Sequence, residues 1–201
     1  SAQPIADADE SHVLAFNDCL YNYVELRKSL REQNLTWHTE SDSEVLVNAL
    51  KMGGRGAIRD FNGSWAFVSF DKNGRQVLLS RDRFGERPLY YYRDARYFIA
   101  ASEPKAIFAA LDTLRPRRLV AEQLIGFISY GWWPTLQDHG TLYKNIMSFP
   151  AGTSALLNLA DGSIDFSEDN RIESYSHEEA DADEIGAILR DSVRIRLRSD
   201  V

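Results

Sequence analysis

The sequence predicts an α+β fold built in layers, with antiparallel strands at its centre and helices around them. Three observations carry this. The middle of the chain alternates apolar segments with turn signals: residues 64–70, the turn DKNG at 71–74, 76–80, then 89–92 and 97–101, which together read as an antiparallel meander. Within SWAFVSF both alternating sets are apolar, Trp65 and Phe67 on one side and Ala66, Val68 and Phe70 on the other. Such a strand is covered on both faces, which requires layers. Finally, segments with helical spacing and helix-start signals flank the strand-rich centre.

Taken in order, residues 1–11 are polar and without period. Residues 12–16 read as a short strand ending at the turn-forming pair Asn17 and Asp18. From Leu20, apolar positions at Tyr23, Val24, Leu26 and Leu30 predict an amphipathic helix ending near Glu32, and 35–39 reads as a short strand. SDSE at 41–44 sets a Ser three residues before a Glu, ahead of Val45, Leu46, Ala49 and Leu50, a capping box that opens a second helix ending near Gly53 and Gly54. After the meander, Ser102 is placed to cap a third helix through Ala110, with Pro104 in its first turn, where a missing amide hydrogen costs little. A fourth helix is expected over 121–130, then a Trp-rich loop, then strands at 153–159 and 164–166 joined by a turn at Asp161 and Gly162. The acidic run SHEEADADE at 176–184 suits a linker or a helix N-terminus, and Ile185, Ile188, Leu189 and Val193 mark a helix running to the C-terminus without a stop signal.

Composition excludes several classes of function. The 201 residues carry a formal net charge of −7, which argues against affinity for phosphate backbones, so no nucleic-acid partner is expected. The basic clusters RPRR at 115–118 and RIRLR at 194–198 read as solvated surface. No apolar run is long enough to cross a bilayer and no secretory signal is visible, so no membrane partner is expected. Cys19 is the only cysteine, which rules out an intrachain disulfide and a multi-cysteine metal site and fits a cytoplasmic setting. Phosphate-cradling loops, metal-spaced histidine pairs and nucleophile elbows are lacking, and His12, His38, His139 and His177 each stand isolated.

Four strings in fixed order resemble a known family. AFNDCLYNYVELR at 15–27 resembles a strand, NGEIYN turn and helix. SDSE at 41–44 resembles an SD-x-E element, RDRFGERPLYYY at 81–92 an RDRFG-x-x-PLYY segment, and ASEPKAI at 101–107 an SE-x-KAL segment. Together they resemble the class II glutamine amidotransferase domain of glutamine-hydrolysing asparagine synthases, over nearly the whole chain. The resemblance implies the four-layer αββα sandwich of the N-terminal-nucleophile (Ntn) hydrolase type. It implies a glutaminase domain over residues 1–175 and, over 176–201, a linker and the first helix of an ATP-dependent synthetase domain. It places the nucleophilic cysteine and a carboxylate-binding arginine upstream of Ser1, and the SGG-x-DS loop of the synthetase beyond Val201.

In such a family, glutamine hydrolysis supplies ammonia to a carboxylate activated by ATP, most often aspartate. The implied partners are therefore L-glutamine and aspartate or another carboxylate acceptor, with a homodimer left open. ATP and Mg belong to the synthetase domain, and neither cofactor nor metal is expected in this one. Asn17 falls on the Asn whose amide donates to the oxyanion, its other reading being a turn residue. Asp18 replaces the Gly whose N–H is the second donor; it keeps the N–H but adds a carboxylate and disfavours any positive φ. Cys19 replaces the Glu that helps hold the substrate ammonium, and as a nucleophile it has no histidine nearby in sequence. Asp42 falls on the Asp that binds that ammonium, a role compatible with support of a helix N-terminus. Arg81, Asp82 and Arg83 read as a structural ion-pair cluster, and Trp132, Trp133 and Pro134 as core or interface packing. The departures at Asp18 and Cys19 motivate an alternative, a degenerate domain serving as scaffold for a synthetase that modifies a sugar, lactam or peptide.

Overall fold

A computed structural model of the chain describes residues 3–33, 35–111, 118–131, 139–169 and 181–198, with Asp18 described by its backbone alone. Two antiparallel sheets stack between helices. The larger has the order β1 (Ile5–Ala6), β2 (His12–Leu20), β3 (Gly63–Asp71), β4 (Gln76–Arg81), β8 (Ser154–Asn158) and β9 (Ile164–Ser167). The smaller has the order β6 (Phe98–Ala101), β5 (Tyr90–Arg93) and β7 (Ile146–Ser148). Helices α1 (Tyr23–Leu30) and α2 (Asp42–Gly53) precede β3; α3 (Pro104–Leu111), α4 (Ala121–Tyr130) and α5 (Ala182–Arg196) follow the central strands.

Three apolar clusters define the layers. In the first, Val45, Leu46 and Leu50 of α2 pack on Leu14, Leu20, Trp65, Phe67 and Leu78 of the larger sheet, with Tyr23, Leu26 and Leu30 of α1 alongside. The second lies between the sheets, where Ala66, Leu79, Phe149 and Ala155 meet Tyr91, Phe98 and Ala100. In the third, Tyr92 and Ile146 on the outer face of the smaller sheet meet Ile107 and Leu111 of α3. The two-residue period of a strand sends Trp65 and Phe67 one way and Ala66 the other, and separates Tyr91 from Tyr92 in the same manner. Helix, sheet, sheet, helix is the expected αββα order.

Several local expectations change. The meander is not continuous: β4 pairs with β3 and β8, and β5 opens the second sheet. The loop between them, residues 82–89, carries the chain from one layer to the other. Residues 35–39 form no strand; their backbone is held by side chains, as described below. Helix α1 starts at Tyr23 rather than Leu20 and ends in a short 3-10 turn, Arg31–Gln33. Pro104 is the first residue of α3, so Glu103 rather than Ser102 immediately precedes that helix. Strands β1 and β7 and the 3-10 segment Gly54–Asp60 carry no periodic signal long enough to read. Residues 132–134, 115–117, 176–180 and 199–201 lie outside the described residues, as does His177. Among the described residues no helix is long and apolar enough to cross a membrane.

Candidate functional site at the edge of β2

The largest correction concerns Asn17 and Asp18. They do not form a turn at a strand end but lie inside β2, opposite Ala66 and Trp65 of β3, and Cys19 lies opposite Ser64. Two features carry the strand onward. Leu20 is buried in the core beneath α2, which fixes the face of the strand. Gly63 has no Cβ, and one built there would meet the carbonyl oxygen of Cys19 at 2.4 Å, so only glycine lets β3 approach so closely. Regular strand geometry also removes the concern about φ: the described non-glycine residues with positive φ are Glu10, Arg75, His139 and Asn145. Asp18 therefore presents its N–H without backbone strain.

The direction of that N–H follows from its neighbours. Along an antiparallel strand, alternate amides point to opposite edges. The Tyr21 N–H donates to Asn62 O on the β3 side at 2.8 Å, whereas the Phe16 N–H donates away from β3, to Gln3 Oε1 at 3.1 Å. The Leu20 N–H also points away and donates to Asp42 Oδ2 at 3.1 Å. Asp18, midway between, shares this edge. Strand β1 pairs only with Val13 and Leu14, so no described strand covers the edge from Phe16 to Leu20. Asn17 and Cys19 are half-buried and share the face of Ala66, toward the second sheet. Among the described residues, no hydrogen bond engages the Asn17 amide.

Asp42 is the first residue of α2 and reaches this edge from the side. Ser41 caps the helix, its hydroxyl accepting the Glu44 N–H at 3.4 Å. The capping box is altered: Glu44 does not return to the Ser41 N–H but accepts the His38 N–H, the Thr39 N–H and the Thr39 hydroxyl, each at 2.7 Å. Asp42 is half-buried, and its second oxygen accepts the Ser43 hydroxyl at 3.3 Å. From Asn17 to the Asp42-bound Leu20 is three strand residues, about 10 Å. The Asp18 N–H and the Asp42 carboxylate thus line one open edge, with Asn17 beside them on the face toward the second sheet.

The RDRFG segment has a different character. Arg81 donates to Arg87 O (2.7 Å), Gly85 O (2.8 Å) and Phe149 O (2.7 Å), and Asp82 accepts N–H groups of Trp65, Phe84, Glu86 and Arg87 at 2.9–3.3 Å. The cluster is structural, as the sequence suggested, but it works through the backbone and not chiefly through ion pairs. His12 sits in a structural cluster: its ring Nδ1 lies 3.1 Å from the Ser11 hydroxyl, its backbone N–H donates to Asp7 Oδ1 at 2.7 Å, and Lys51 joins Asp7 at 2.7 Å. Among the described residues, no group of three or more His, Cys, Asp or Glu is arranged to hold a metal ion.

Residues 1–168 match the family described as a glutamine amidotransferase domain. The chain belongs to this family. The amidotransferase domain is 31% identical over 200 residues to a protein of Methanocaldococcus jannaschii named putative asparagine synthetase (glutamine-hydrolyzing) 2, covering 94% of this chain and 36% of that one. It is 31% identical to asparagine synthetase (glutamine-hydrolyzing) 1 of Bacillus subtilis, covering 99% of this chain and 31% of that one. It therefore spans about a third of the length of these curated relatives. Among solved structures, glutamine phosphoribosylpyrophosphate amidotransferase of B. subtilis, in complex with ADP and GMP, superposes with a TM-score of 0.55 at 20% identity, over 84% of this chain and 32% of that one. That likeness shows the fold, and the αββα layering is that of an Ntn-type amidotransferase.

Sequence reasoning missed how Asp42 is held. Arg27 is 5% exposed and lies under residues 37–41, a contact that helical spacing alone does not reveal. The only available sign was an arginine set among the apolar positions of α1.

Proposed function

We propose that the open edge of β2 binds L-glutamine and that the protein hydrolyses its side-chain amide, delivering ammonia to an ATP-activated carboxylate, with aspartate as the acceptor and asparagine as the product. The observation that carries this reading is the open edge itself: the Asp18 N–H points outward there, the Asp42 carboxylate meets the Leu20 N–H two residues on, and Asn17 is the adjacent residue of the strand. Asp42 takes the α-ammonium group. The Asn17 amide and the Asp18 N–H donate to the side-chain carbonyl oxygen of glutamine and stabilise the oxyanion that forms on it when its carbon is attacked. The nucleophile is the cysteine that the family resemblance puts upstream of Ser1, its thiolate generated by a neighbouring base. Cys19, in place of a carboxylate, leaves Asp42 as the principal anionic contact for the ammonium.

Residues 176–201 are proposed to open the synthetase domain, which would hold ATP and Mg. In support, α5 has an apolar stripe of Ile185, Ile188, Leu189 and Val193, yet none of its residues is buried. The scaffold alternative draws on Asp18 and Cys19, but the unstrained backbone at Asp18 removes one of its arguments. The test is glutamate and ammonia release from glutamine by the protein expressed from its complete gene. Release that requires Asn17 supports the proposal. No release, even with ATP, Mg and aspartate present, hands the domain to the scaffold reading.

A further inference from the structure

Segment 35–41 leads directly into Asp42, yet it belongs to no sheet and no helix. An irregular segment keeps its place only through side chains that satisfy its backbone. Two residues, Arg27 and Glu44, supply most of that, Arg27 on the carbonyl side. Arg27 Nη1 donates to Thr39 O at 2.8 Å and to Glu40 Oε2 at 2.7 Å, and Nη2 donates to Ser41 O at 3.1 Å. The guanidinium carbon also lies 4.6 Å from the centre of the Trp37 ring, within cation–π range. Glu44 grips the same stretch from the other side through His38 and Thr39. The Ser41 carbonyl held by Arg27 is bonded directly to the Asp42 amide nitrogen. A shift of that peptide moves the Asp42 carboxylate relative to the Leu20 N–H.

We infer that Arg27 is a positioning residue for glutamine recognition: its rigid fork fixes the 39–41 backbone, and thereby sets where the Asp42 carboxylate meets the substrate α-ammonium. The inference rests on the proposed role of Asp42. Arginine suits the task because it offers several donors in a fixed plane and stacks on an aromatic face, whereas lysine offers one compact charge. Arg27 touches no substrate in this account. Its loss weakens binding of the ammonium group more than it slows the chemical step.

The test compares Arg27→Met, Arg27→Lys, Asp42→Asn and the double variant Arg27→Met/Asp42→Asn in the complete gene product. Each is assayed with glutamine and with glutaramate, the analogue lacking the α-amino group. Arg27→Met should raise the KM for glutamine about tenfold with a smaller fall in kcat, and leave kcat/KM for glutaramate within about twofold of the parent. Arg27→Lys should recover part of the loss. The double variant should lose no more than Asp42→Asn alone, since the two residues act on one contact. If Asp42→Asn leaves the KM unchanged, the reading of Asp42 fails. If Asp42→Asn raises the KM and Arg27→Met does not, or if Arg27→Met harms both substrates equally, the positioning role fails alone. Should Arg27→Met not fold, Trp37→Leu removes the platform beneath the guanidinium and decides the matter by the same ratio between the two substrates.

Discussion

Asp82 and Asp42 both bind the edge of an irregular segment to the larger sheet, and the contrast between them separates architecture from recognition. Asp82 is 1% exposed, and four backbone N–H groups surround its carboxylate. It fixes the crossing from the first sheet to the second, with Gly85 at φ 66° completing the bend. Asp42 is half-buried at an edge that no described strand covers, on a segment whose place depends on Arg27 and Glu44. A carboxylate enclosed by the backbone serves the fold, and the proposed glutamine contact is the one on a segment held by side chains at an open edge.

Substitutions should respect that division. Asp82→Ala strands several buried N–H groups at once, and we expect a loss of about 3–5 kcal/mol in urea denaturation. Asp42→Asn should cost far less stability while altering glutamine affinity; equal losses would erase the contrast. Gly63→Ala comes next. Its new Cβ forces β3 away from Cys19, costing about 2 kcal/mol by the same measurement and disturbing the strand that carries Asn17. Little effect would mean that the close approach does not define the edge.

A smaller effect is expected from acid. Burial opposes charge on Glu44, but the His38 N–H, the Thr39 hydroxyl and N–H and the nearby Arg27 charge outweigh it and hold its carboxyl below the ordinary 4.5. Because the folded-state value is the lower one, the stability that Glu44 contributes is complete above 4.5 and is lost as pH falls through the folded value. Between about pH 5 and 3 the Tm of the parent should therefore fall more steeply than that of Glu44→Gln. Parallel curves would mean that Glu44 does not hold residues 38 and 39 in place. The smallest effect belongs to Arg198, whose guanidinium meets Glu25 at 2.7 and 2.8 Å on the surface. Arg198→Ala should change stability by less than about 1 kcal/mol, and less still in high salt.

How far the sequence could be read follows the same line. The layers were legible because SWAFVSF is apolar on both faces and the capping box announces α2, both strong local patterns. The candidate site was suggested only by the family strings. Read locally, Asn17 and Asp18 signal a turn. What overrules that signal is tertiary: Leu20 must reach the core beneath α2, and the missing Cβ of Gly63 admits the neighbouring strand. Residues 35–39 mislead for a related reason. Trp37 and Thr39 suit a strand, yet Arg27 and Glu44 supply the hydrogen bonds that a neighbouring strand would have given. Partners distant in sequence leave no periodic trace. Side-chain clasps and close approaches were therefore the features that reading along the chain could not find.

The most direct measurement of the central claim is steady-state glutamine hydrolysis by the complete gene product, comparing the parent, Asn17→Ala and Asp42→Asn. If the β2 edge is the glutamine site, Asn17→Ala lowers kcat about 100-fold to 1,000-fold, the usual consequence of removing an oxyanion donor, while Asp42→Asn acts mainly on KM. An active parent whose kcat and KM survive both substitutions would contradict the account and place glutamine elsewhere on the domain.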